Sequence, residues 1–559
     1  MKKEYTLGLD FGTASVRACI LDIHSGQVVS TSVCPYKGGT DGTYFDKSNP
    51  LLARQYPMEY LRSLEVAVKL AVIDFKENMH SIDNIVGMAV DATGSTPIPV
   101  NHNMRPLADL PAFKNNLNAY AWLWKDHSSV NEALQITKKA KQLRPAYLKK
   151  CGGAYSSEWF WSKLWHCLNC DPAVFDAAES WVEQSDFIPA VLAGIENIKD
   201  LKRNVCAAGH KALFSEAWGG LPDKEFLNAL DPELGKLRDQ LYDHAYAFDE
   251  TLGFLSAKWA QKLGIPQGIP IAVGALDAHV GAIGAGVGSC KFVKIMGTST
   301  CDIMVFPEAE APTDFEGVSG IVKGSVLPGY VGIEAGQAAV GDLLNWWVQN
   351  ILNKEASYHI ELSLKASDLK VGASGLLALD WNNGNRNILS DQQLSGLVLG
   401  QTLATKDYEI YRALIEATAF GALKIIECIR SQGISIHEII ATGGIGHKNP
   451  LFMQIYADVI NCPVRLVENP QTVAVGAAIM AAYCVKKGTQ GFTSVEEMIN
   501  RLSVASNKVY LPNKEAHQTY KALFKLYSQL HDAFGKDASN ENLFKVMKTL
   551  LQIQREAVQ

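Results

Sequence analysis

Two turns of small residues, far apart in the chain, constrain the fold most strongly. They occupy 12–15 (Gly-Thr-Ala-Ser) and 297–300 (Gly-Thr-Ser-Thr), and each lies between short apolar segments typical of β-strands. A chain of 559 residues is long enough for two or three domains. We therefore expect two related α/β halves, each of which presents a hairpin turn to a shared cleft.

The order of predicted elements supports this division. An antiparallel meander opens the chain, and helices and strands alternate toward the end of the second half. The stretch 254–268, with its Leu-Gly-Ile-Pro-Gln-Gly run, interrupts the pattern. We therefore predict a first domain over 1–265 and a second over 266–490. Residues 491–559 are predicted to form a helical extension packed on the second domain.

Composition excludes several classes of partner. The net charge of −6 gives no reason to expect nucleic acid or an anionic membrane surface. The N-terminus lacks the apolar core of a signal peptide, and the apolar stretch 472–485 is too short to span a bilayer. Eleven scattered cysteines suggest a reducing compartment, and the Cys167/Cys170 pair lacks the further ligands of a zinc site. We expect a cytoplasmic protein.

Familiar nucleotide motifs do not explain the glycines. The sequence contains no GxxxxGK[ST] motif, which excludes a P-loop. The triplet that begins at Asp10 (Asp-Phe-Gly) matches a protein-kinase motif only by chance, because no His-Arg-Asp precedes it. The glycine-rich run 284–288 lacks GxGxxG spacing, and we interpret it as close helix packing.

The two turns are candidate phosphate-binding loops. Gly12 lets backbone N–H groups approach a phosphate, Thr13 adds a hydroxyl donor, and Asp10 could hold Mg²⁺ through water. Gly297 and Thr298 repeat the pattern in the second half. Alone, the first turn is equally consistent with a hairpin capped by an aspartate.

Three further patterns suggest a kinase site. Gly443 and Gly444 follow a strand and precede a helix near Asn449, where a nucleotide could bind, although an ordinary strand-to-helix turn has the same pattern. Asp277 follows a strand among small residues and could act as a general base, or it could cap the next helix. Polar residues in aromatic or glycine-rich settings, near 124–127, 209–211 and 332–337, suit a polyol, but surface ion pairs would also explain them.

Together these segments resemble the FGGY carbohydrate kinases. The resemblance follows their order over more than 400 residues and rests on Leu9-Asp10-Phe11-Gly12-Thr13, Asp91-Ala92-Thr93-Gly94-Ser95-Thr96-Pro97, Trp124-Lys125-Asp126-His127, Gly274-Ala275-Leu276-Asp277-Ala278-His279, Met296-Gly297-Thr298-Ser299, Glu334-Ala335-Gly336-Gln337, Asp380-Trp381-Asn382-Asn383-Gly384-Asn385-Arg386 and Ala441-Thr442-Gly443-Gly444. Two departures concern the subfamily: one residue, not two, separates Lys163 from Trp165, and Gln401 follows Gly400 where the family has an aliphatic residue.

The resemblance implies two actin-like (ribonuclease H-like) domains with ATP between them and Asp277 as the catalytic base. The resemblance also implies that Mg²⁺ binds Asp10 through water. The implied contacts to ATP or its phosphates are Asp10, Gly12, Thr13, Gly297, Thr298, Gly336, Gly443, Gly444 and Asn449. The implied sugar contacts are Ser95, Thr96, Trp124, Asp126, Lys211, Asp277 and Glu334.

Within the family, the resemblance is strongest to kinases of L-ribulose. It implies transfer of the ATP γ-phosphate to O5 of L-ribulose, which gives L-ribulose 5-phosphate and ADP in arabinose breakdown. The segment 91–96 favours this substrate because glycerol and xylulose kinases have other residues there. Kinases of D-ribulose, ribitol or xylulose, and an actin- or Hsp70-like ATPase, remain alternatives. The oligomeric state is open, with a homodimer among the alternatives.

Overall fold

The computed structural model of the chain describes residues 3–311, 317–467, 469, 471–487, 492, 494–504, 508–537 and 543. The strands of the first half are β1 (Tyr5–Phe11), β2 (Ser15–Asp22), β3 (Val28–Pro35), β4 (Tyr44–Asp46), β5 (Asn49–Gln55), β6 (Ile85–Ala92), β7 (Pro97–Val100), β8 (Ala121–Trp122), β9 (Ser180–Glu183), β10 (Arg203–Asn204), β11 (Ala245–Tyr246), β12 (Thr251–Phe254), β13 (Pro270–Ala272) and β14 (Ala275–Leu276). Its helices are α1 (Pro57–Glu77), α2 (Val130–Leu143), α3 (Pro145–Lys149), α4 (Phe160–Cys170), α5 (Pro172–Ala177), α6 (Gln184–Ala193), α7 (Val205–Ala212), α8 (Lys224–Leu230), α9 (Pro232–Arg238), α10 (Ala257–Leu263) and α11 (Asp277–Gly284).

The second half continues the series. Its strands are β15 (Lys291–Met296), β16 (Thr300–Pro307), β17 (Gly320–Lys323), β18 (Tyr330–Ala335), β19 (Leu377–Leu379), β20 (Leu397–Leu399), β21 (Glu438–Thr442), β22 (Val464–Leu466) and β23 (Lys508–Tyr510). Its helices are α12 (Gly341–Asn345), α13 (Tyr358–Ser367), α14 (Asp407–Ser431), α15 (Gly444–Lys448), α16 (Pro450–Ile460), α17 (Thr472–Lys486), α18 (Val495–Leu502) and α19 (Lys514–Gly535).

The two large sheets share one arrangement of strands. In the first sheet the strand order is β3-β2-β1-β6-β13-β12, and in the second it is β18-β16-β15-β21-β22-β23, with β17 added outside β18. In both sheets an antiparallel meander of three strands is followed by two parallel strands and one antiparallel strand. The expected pair of related α/β halves is therefore confirmed.

Both predicted turns join the first two strands of their sheets. Gly12 N–H donates to the Ser15 carbonyl at 3.0 Å, and Gly297 N–H donates to the Ser299 carbonyl at 2.9 Å. The turns therefore occupy equivalent positions, each at the end of the strand that leads into the parallel part of its sheet.

Helices α11 and α17 pack between the two sheets through small residues. A Cβ on Gly284 would lie 1.9 Å from the Thr472 carbonyl oxygen, and one on Gly476 would lie 2.0 Å from the Val280 carbonyl oxygen. Gly8 on β1 is equally close to α17, at 2.0 Å from the Ala474 carbonyl oxygen. These approaches need glycine, and they match the packing expected for the run that starts at Gly284.

The first sheet extends beyond the predicted domain boundary. Strands β13 and β14 pair with β6, so residues 270–276 belong to the first sheet, although we predicted that the second domain begins at 266. The Ile-Pro-Gln-Gly segment is only the turn that leads the chain back into that sheet. In the predicted extension, β23 adds an edge strand to the second sheet, and α19 packs on the second core. The rest of the extension beyond 537, except residue 543, lies outside the described residues.

None of the helices in the described part of the chain combines the length and hydrophobicity that a bilayer-spanning segment needs.

Candidate active site

A row of charged side chains crosses the first sheet where β1 ends. Asp10 on β1 pairs in register with Arg17 on β2 and with Asp91 on β6. Arg17 Nη1 donates to Asp10 Oδ2 at 2.7 Å, and both aspartates are almost fully buried. Paired residues on neighbouring strands lie on the same face of a sheet. The row therefore presents two carboxylates side by side with a single guanidinium.

Asp277 lies at the end of this row. It begins α11 directly after β14, and β14 pairs with β6 so that Ala275 lies opposite Asp91. The Asp277 Oδ1 atom accepts a hydrogen bond from the Ala278 N–H at 2.7 Å. Burial, followed by repulsion from Asp10, raises the pKa of Asp277 to about 7. A carboxylate with this pKa is well suited to general-base catalysis near neutral pH.

Asp91 is the least compensated group in the row. Neither of its side-chain oxygens has a hydrogen-bond partner among the described residues. Burial, with repulsion from Asp10 and Asp277, raises its pKa well above the ordinary value. Adjacent buried carboxylates with spare oxygen lone pairs fit a small hard cation such as Mg²⁺. The donor set at Asp10 and Asp91 is thus compatible with the predicted metal.

A cavity of about 560 Å³ opens beside this row, between the two halves. Asp277 lines it together with the predicted Gly443 and Gly444. The remaining lining residues come from α11, β15, β21, α15 and the start of α17, and they are Ala278, Gly281, Ile295, Thr442, His447, Asn469, Thr472 and Val473. A cavity of this size, reached by a general base, can hold a nucleotide.

Gly443 shows why glycine is required here. Its φ is +108°, and a Cβ would lie 2.1 Å from the Met296 carbonyl oxygen at the end of β15. Gly297 and Thr298 follow Met296 directly and are exposed at the turn. The Thr298 carbonyl accepts hydrogen bonds from Val340 N–H at 2.8 Å and Asp342 N–H at 3.1 Å. The second turn and the Gly443 loop are therefore neighbours.

A second cluster of charged groups lies across the cleft. Lys211 on α7 donates to both Glu334 oxygens, at 2.9 and 3.0 Å, so the ion pair joins the first half to β18 of the second. His210 and His279 flank Glu334, with ring nitrogens 3.4 and 3.6 Å from its Oε2 atom. Trp159 covers Lys211, whose Nζ atom lies 5.6 Å from the ring centroid.

The charges in this cluster are well defined. Burial opposes ionisation of Glu334, but Lys211 and the two histidines outweigh it and lower the pKa of that carboxyl group. Burial would lower the pKa of Lys211, but Glu334 raises it. Burial lowers the pKa of His279 to about 4, and the pKa of His210 also falls well below its usual value. At neutral pH the cluster therefore holds one ion pair and two neutral imidazoles.

The other predicted sugar contacts have different surroundings. Trp124 Nε1 donates to Thr13 Oγ1 at 3.0 Å, which places the indole against the first turn. Ser95 and Thr96 are buried, and their segment is held by Glu183, which accepts a hydrogen bond from the Thr96 N–H at 2.7 Å. These contacts position the segment 91–96 beside the carboxylate row.

Three predicted ligand contacts instead have structural partners. Asp126 is fully buried, pairs with Arg54 and accepts a hydrogen bond from the Ala53 N–H at 2.6 Å. Asn449 caps α16 by accepting a hydrogen bond from Phe452 N–H at 3.1 Å. Gly336 packs against β16, where a Cβ would lie 2.1 Å from the Thr300 carbonyl oxygen. These contacts account for all three residues without a ligand.

Sequence reasoning missed several residues of the site. Arg17 was not among the predicted site residues, although it bonds to Asp10. Thr472 and Val473 at the start of α17, and Asn469 just before it, line the cavity more than 150 residues after β15. The apolar stretch 472–485 was visible in the sequence, but only the fold shows that its first residues line the same cavity as Asp277.

Family models match most of the chain. The N-terminal domain of the FGGY family of carbohydrate kinases matches residues 5–284, and its C-terminal domain matches residues 292–485. A ribulokinase from Halalkalibacterium halodurans is 37% identical over 99% of both chains. A ribulokinase from Vibrio parahaemolyticus is 40% identical over 86% of this chain and 88% of its own.

Solved structures agree on the fold. A xylulose kinase from Rhodospirillum rubrum superimposes with a TM-score of 0.76 at 21% identity, covering 95% of this chain and 99% of its own. A gluconate kinase from Lactobacillus acidophilus also reaches 0.76, at 19% identity and with 96% and 99% coverage. With both domain models matched in order, the chain belongs to the FGGY family of carbohydrate kinases.

Proposed function

We propose that this protein is an ATP-dependent ribulokinase that transfers the γ-phosphate of ATP to O5 of L-ribulose. The observation that carries the proposal is the position of Asp277. It lies on the wall of the nucleotide-sized cavity, at the end of the carboxylate row, and close enough to Lys211 and Glu334 to interact with them electrostatically. Several relatives that match nearly the full chain are named ribulokinases, which supports this choice of sugar.

The ion pair across the cleft would bind the sugar. Lys211 supplies N–H donors and Glu334 supplies acceptor oxygens, so together they can recognise neighbouring hydroxyl groups of a ketopentose. Because the two residues come from different halves, sugar binding would also hold the halves together and exclude water. Asp277 then accepts the proton of the terminal hydroxyl as that oxygen attacks phosphorus, and ADP leaves with the electrons of the broken bond.

The two turns would hold the phosphates of ATP. Thr13 Oγ1 accepts a hydrogen bond from Trp124, which leaves its O–H free to donate to a phosphate oxygen. Asp10 and Asp91 would hold Mg²⁺, which would neutralise charge on the phosphates when bound. The nucleoside would occupy the cavity between Gly443 and the start of α17.

The proposal also covers the cellular location of the protein. We infer a cytoplasmic enzyme of arabinose breakdown that acts on a small molecule and needs neither nucleic acid nor a membrane. The acidic net charge is consistent with this inference. For the assembly we propose a homodimer.

The decisive test is a coupled assay of ADP release by the purified protein with Mg-ATP and a panel of sugars. The panel contains L-ribulose, D-ribulose, L- and D-xylulose, ribitol and glycerol. We expect the highest kcat/KM with L-ribulose and a product phosphorylated at O5 by NMR. Preference for another polyol would overturn the assigned substrate, and ADP release without any sugar would instead favour an actin-like ATPase.

A further inference from the structure

The two histidines beside Glu334 have no role in the proposed phosphoryl transfer. Their side chains are only 1% and 2% exposed, and their ring centroids lie 4.4 Å apart. Nδ1 of His210 and both ring nitrogens of His279 lack hydrogen-bond partners among the described residues. Buried polar atoms are usually paired, so these nitrogens indicate a ligand that the chain itself does not provide.

The hydrogen bond on the far side of His210 fixes its tautomer. Ser325 Oγ donates to the Val322 carbonyl at 3.0 Å and lies 3.1 Å from His210 Nε2. Since the serine proton is already used, Nε2 must carry the proton that it donates to Ser325, and Nδ1 keeps a lone pair. That lone pair points toward the ionised Glu334, which has no proton to donate either.

The distances of the two histidine nitrogens from Glu334 match those between neighbouring ligands of a tetrahedral metal site. His210 Nδ1 lies 3.4 Å and His279 Nε2 lies 3.6 Å from Glu334 Oε2, and one ligand atom from each residue lies within 4.8 Å of the others. Zinc binds such atoms at about 2.0–2.2 Å, which places neighbouring tetrahedral ligands roughly 3.4 Å apart. The bond from His210 to Ser325 provides the outer support typical of metal-binding histidines.

We propose that His210, His279 and Glu334 form a binding site for a divalent transition metal of the zinc class, and that the bound metal excludes the sugar. Imidazole ligands select such metals over Mg²⁺, so this site is chemically distinct from the oxygen-only pair Asp10 and Asp91. Lys211 can keep Glu334 Oε1, at 2.9 Å, while Oε2 binds the metal. The competition with sugar rests on the proposed function, whereas the metal site rests only on this geometry.

Direct binding tests the site without an activity assay. The purified full-length protein, stripped with EDTA, is titrated with Co²⁺ and followed by visible absorption, and Zn²⁺ binding is measured by calorimetry. We expect one tight ion per chain with the intense bands of four-coordinate Co²⁺. His210→Gln and His279→Gln should each weaken binding at least tenfold, whereas His102→Gln, at an exposed histidine, should not. The melting temperature of each variant shows whether it is folded.

Kinetics then test the competition. We expect Zn²⁺ to raise the apparent KM for L-ribulose without changing the KM for ATP, and excess Mg²⁺ should not relieve this inhibition. Absence of stoichiometric binding to the wild-type protein, or binding unchanged in both histidine variants, would overturn the metal site. If the Co²⁺ spectrum appears as expected but L-ribulose is not a substrate, only the proposed function fails. Inhibition that is competitive with ATP alone would overturn the exclusion of sugar.

Discussion

The two sheets have the same strand arrangement, but they differ in the side chains that lie just before their hairpin turns. In each sheet, three residues lie side by side just before the hairpin turn. One is on the first strand of the sheet, one is on the second strand, and one is on the strand that runs parallel to the first. In the first sheet the row consists of Arg17, Asp10 and Asp91, all of them charged groups. This row would hold the metal and phosphates.

The corresponding row of the second sheet lacks charge. It consists of Cys301, Ile295 and Thr442, with Ile295 and Thr442 on the wall of the cavity. The same backbone position therefore holds an apolar surface, which suits the base and ribose of a nucleotide. The shared topology determines where side chains meet, and each half uses that place for a different part of ATP.

The second sheet does have an ion pair, but it faces away from the cleft. Lys294 and Asp302 pair in register one residue before the apolar row, with Lys294 Nζ 2.9 Å from Asp302. Because side chains alternate along a strand, this shift by one residue places the pair on the opposite face. There it is buried and bonded to Gln337, so it stabilises the second half.

The largest expected effect comes from Asp277→Asn. The amide cannot accept the hydroxyl proton, so kcat should fall by about 10³-fold, within the range for loss of general-base catalysis. Steady-state kinetics measure kcat, and circular dichroism shows whether the fold is intact. Asp176→Asn is the matched control, because Asp176 is an exposed aspartate on α5 that does not line the cavity. Wild-type kcat in Asp277→Asn would disprove the assignment.

Asp10→Asn should have the next largest effect. The variant keeps the shape of the side chain but removes a charge from the metal pair, and we expect kcat to fall about 10²-fold. The Mg²⁺ concentration needed for half-maximal rate should rise, which a merely structural role would not cause. Unchanged Mg²⁺ dependence would show that the charged row does not bind the metal.

Lys211→Ala tests the contact across the cleft. Loss of the ammonium leaves the buried Glu334 unpaired and removes sugar donors, so KM for L-ribulose should rise by about 10- to 100-fold. KM for ATP should change much less, because Lys211 does not line the cavity. Equal changes in both KM values, measured with each substrate varied in turn, would place Lys211 outside the sugar site.

These rows also show what the sequence could predict. The strands and small turns at 12–15 and 297–300 are local patterns, so the paired halves were predictable. The proximity of Asp91 to Asp10 depends on strand register across about 80 residues, which no local pattern contains. The burial of Asp126 likewise depends on Arg54, which lies 72 positions earlier.

The predicted domain boundary does not coincide with the end of the first sheet, for a related reason. The Pro/Gly segment near 264–268 marks a break in secondary structure, as predicted, but such breaks occur within domains as well as between them. Only the pairing of β13 with β6 shows that the chain returns to the first sheet. Local composition predicts turns well and cannot show which sheet the next strand joins.

The pH dependence of activity also follows from the charged row. Asp277 must be ionised to act as a base, and its pKa is about 7. We therefore expect kcat/KM for L-ribulose to fall as the pH drops below 7, with a loss that approaches tenfold per pH unit. Since Mg²⁺ at Asp10 would remove repulsion, the midpoint should move to lower pH as Mg-ATP approaches saturation. A flat profile between pH 5 and 9, in a protein that stays folded, would contradict this assignment.

We expect the smallest effect from a charge introduced into the uncharged row of the second sheet. Ile295→Asp places a carboxylate on the apolar wall of the cavity, where a bound nucleotide would desolvate it, and we expect KM for ATP to rise about tenfold. Ile295→Val is the matched control, because it keeps the wall apolar and should change KM less than threefold. The turnover number and KM for sugar should stay near wild type in both variants, in contrast to Asp10→Asn. If Ile295→Asp instead lowered kcat and left KM for ATP unchanged, the second row would act in phosphoryl transfer, and the division of labour between the two sheets would be wrong.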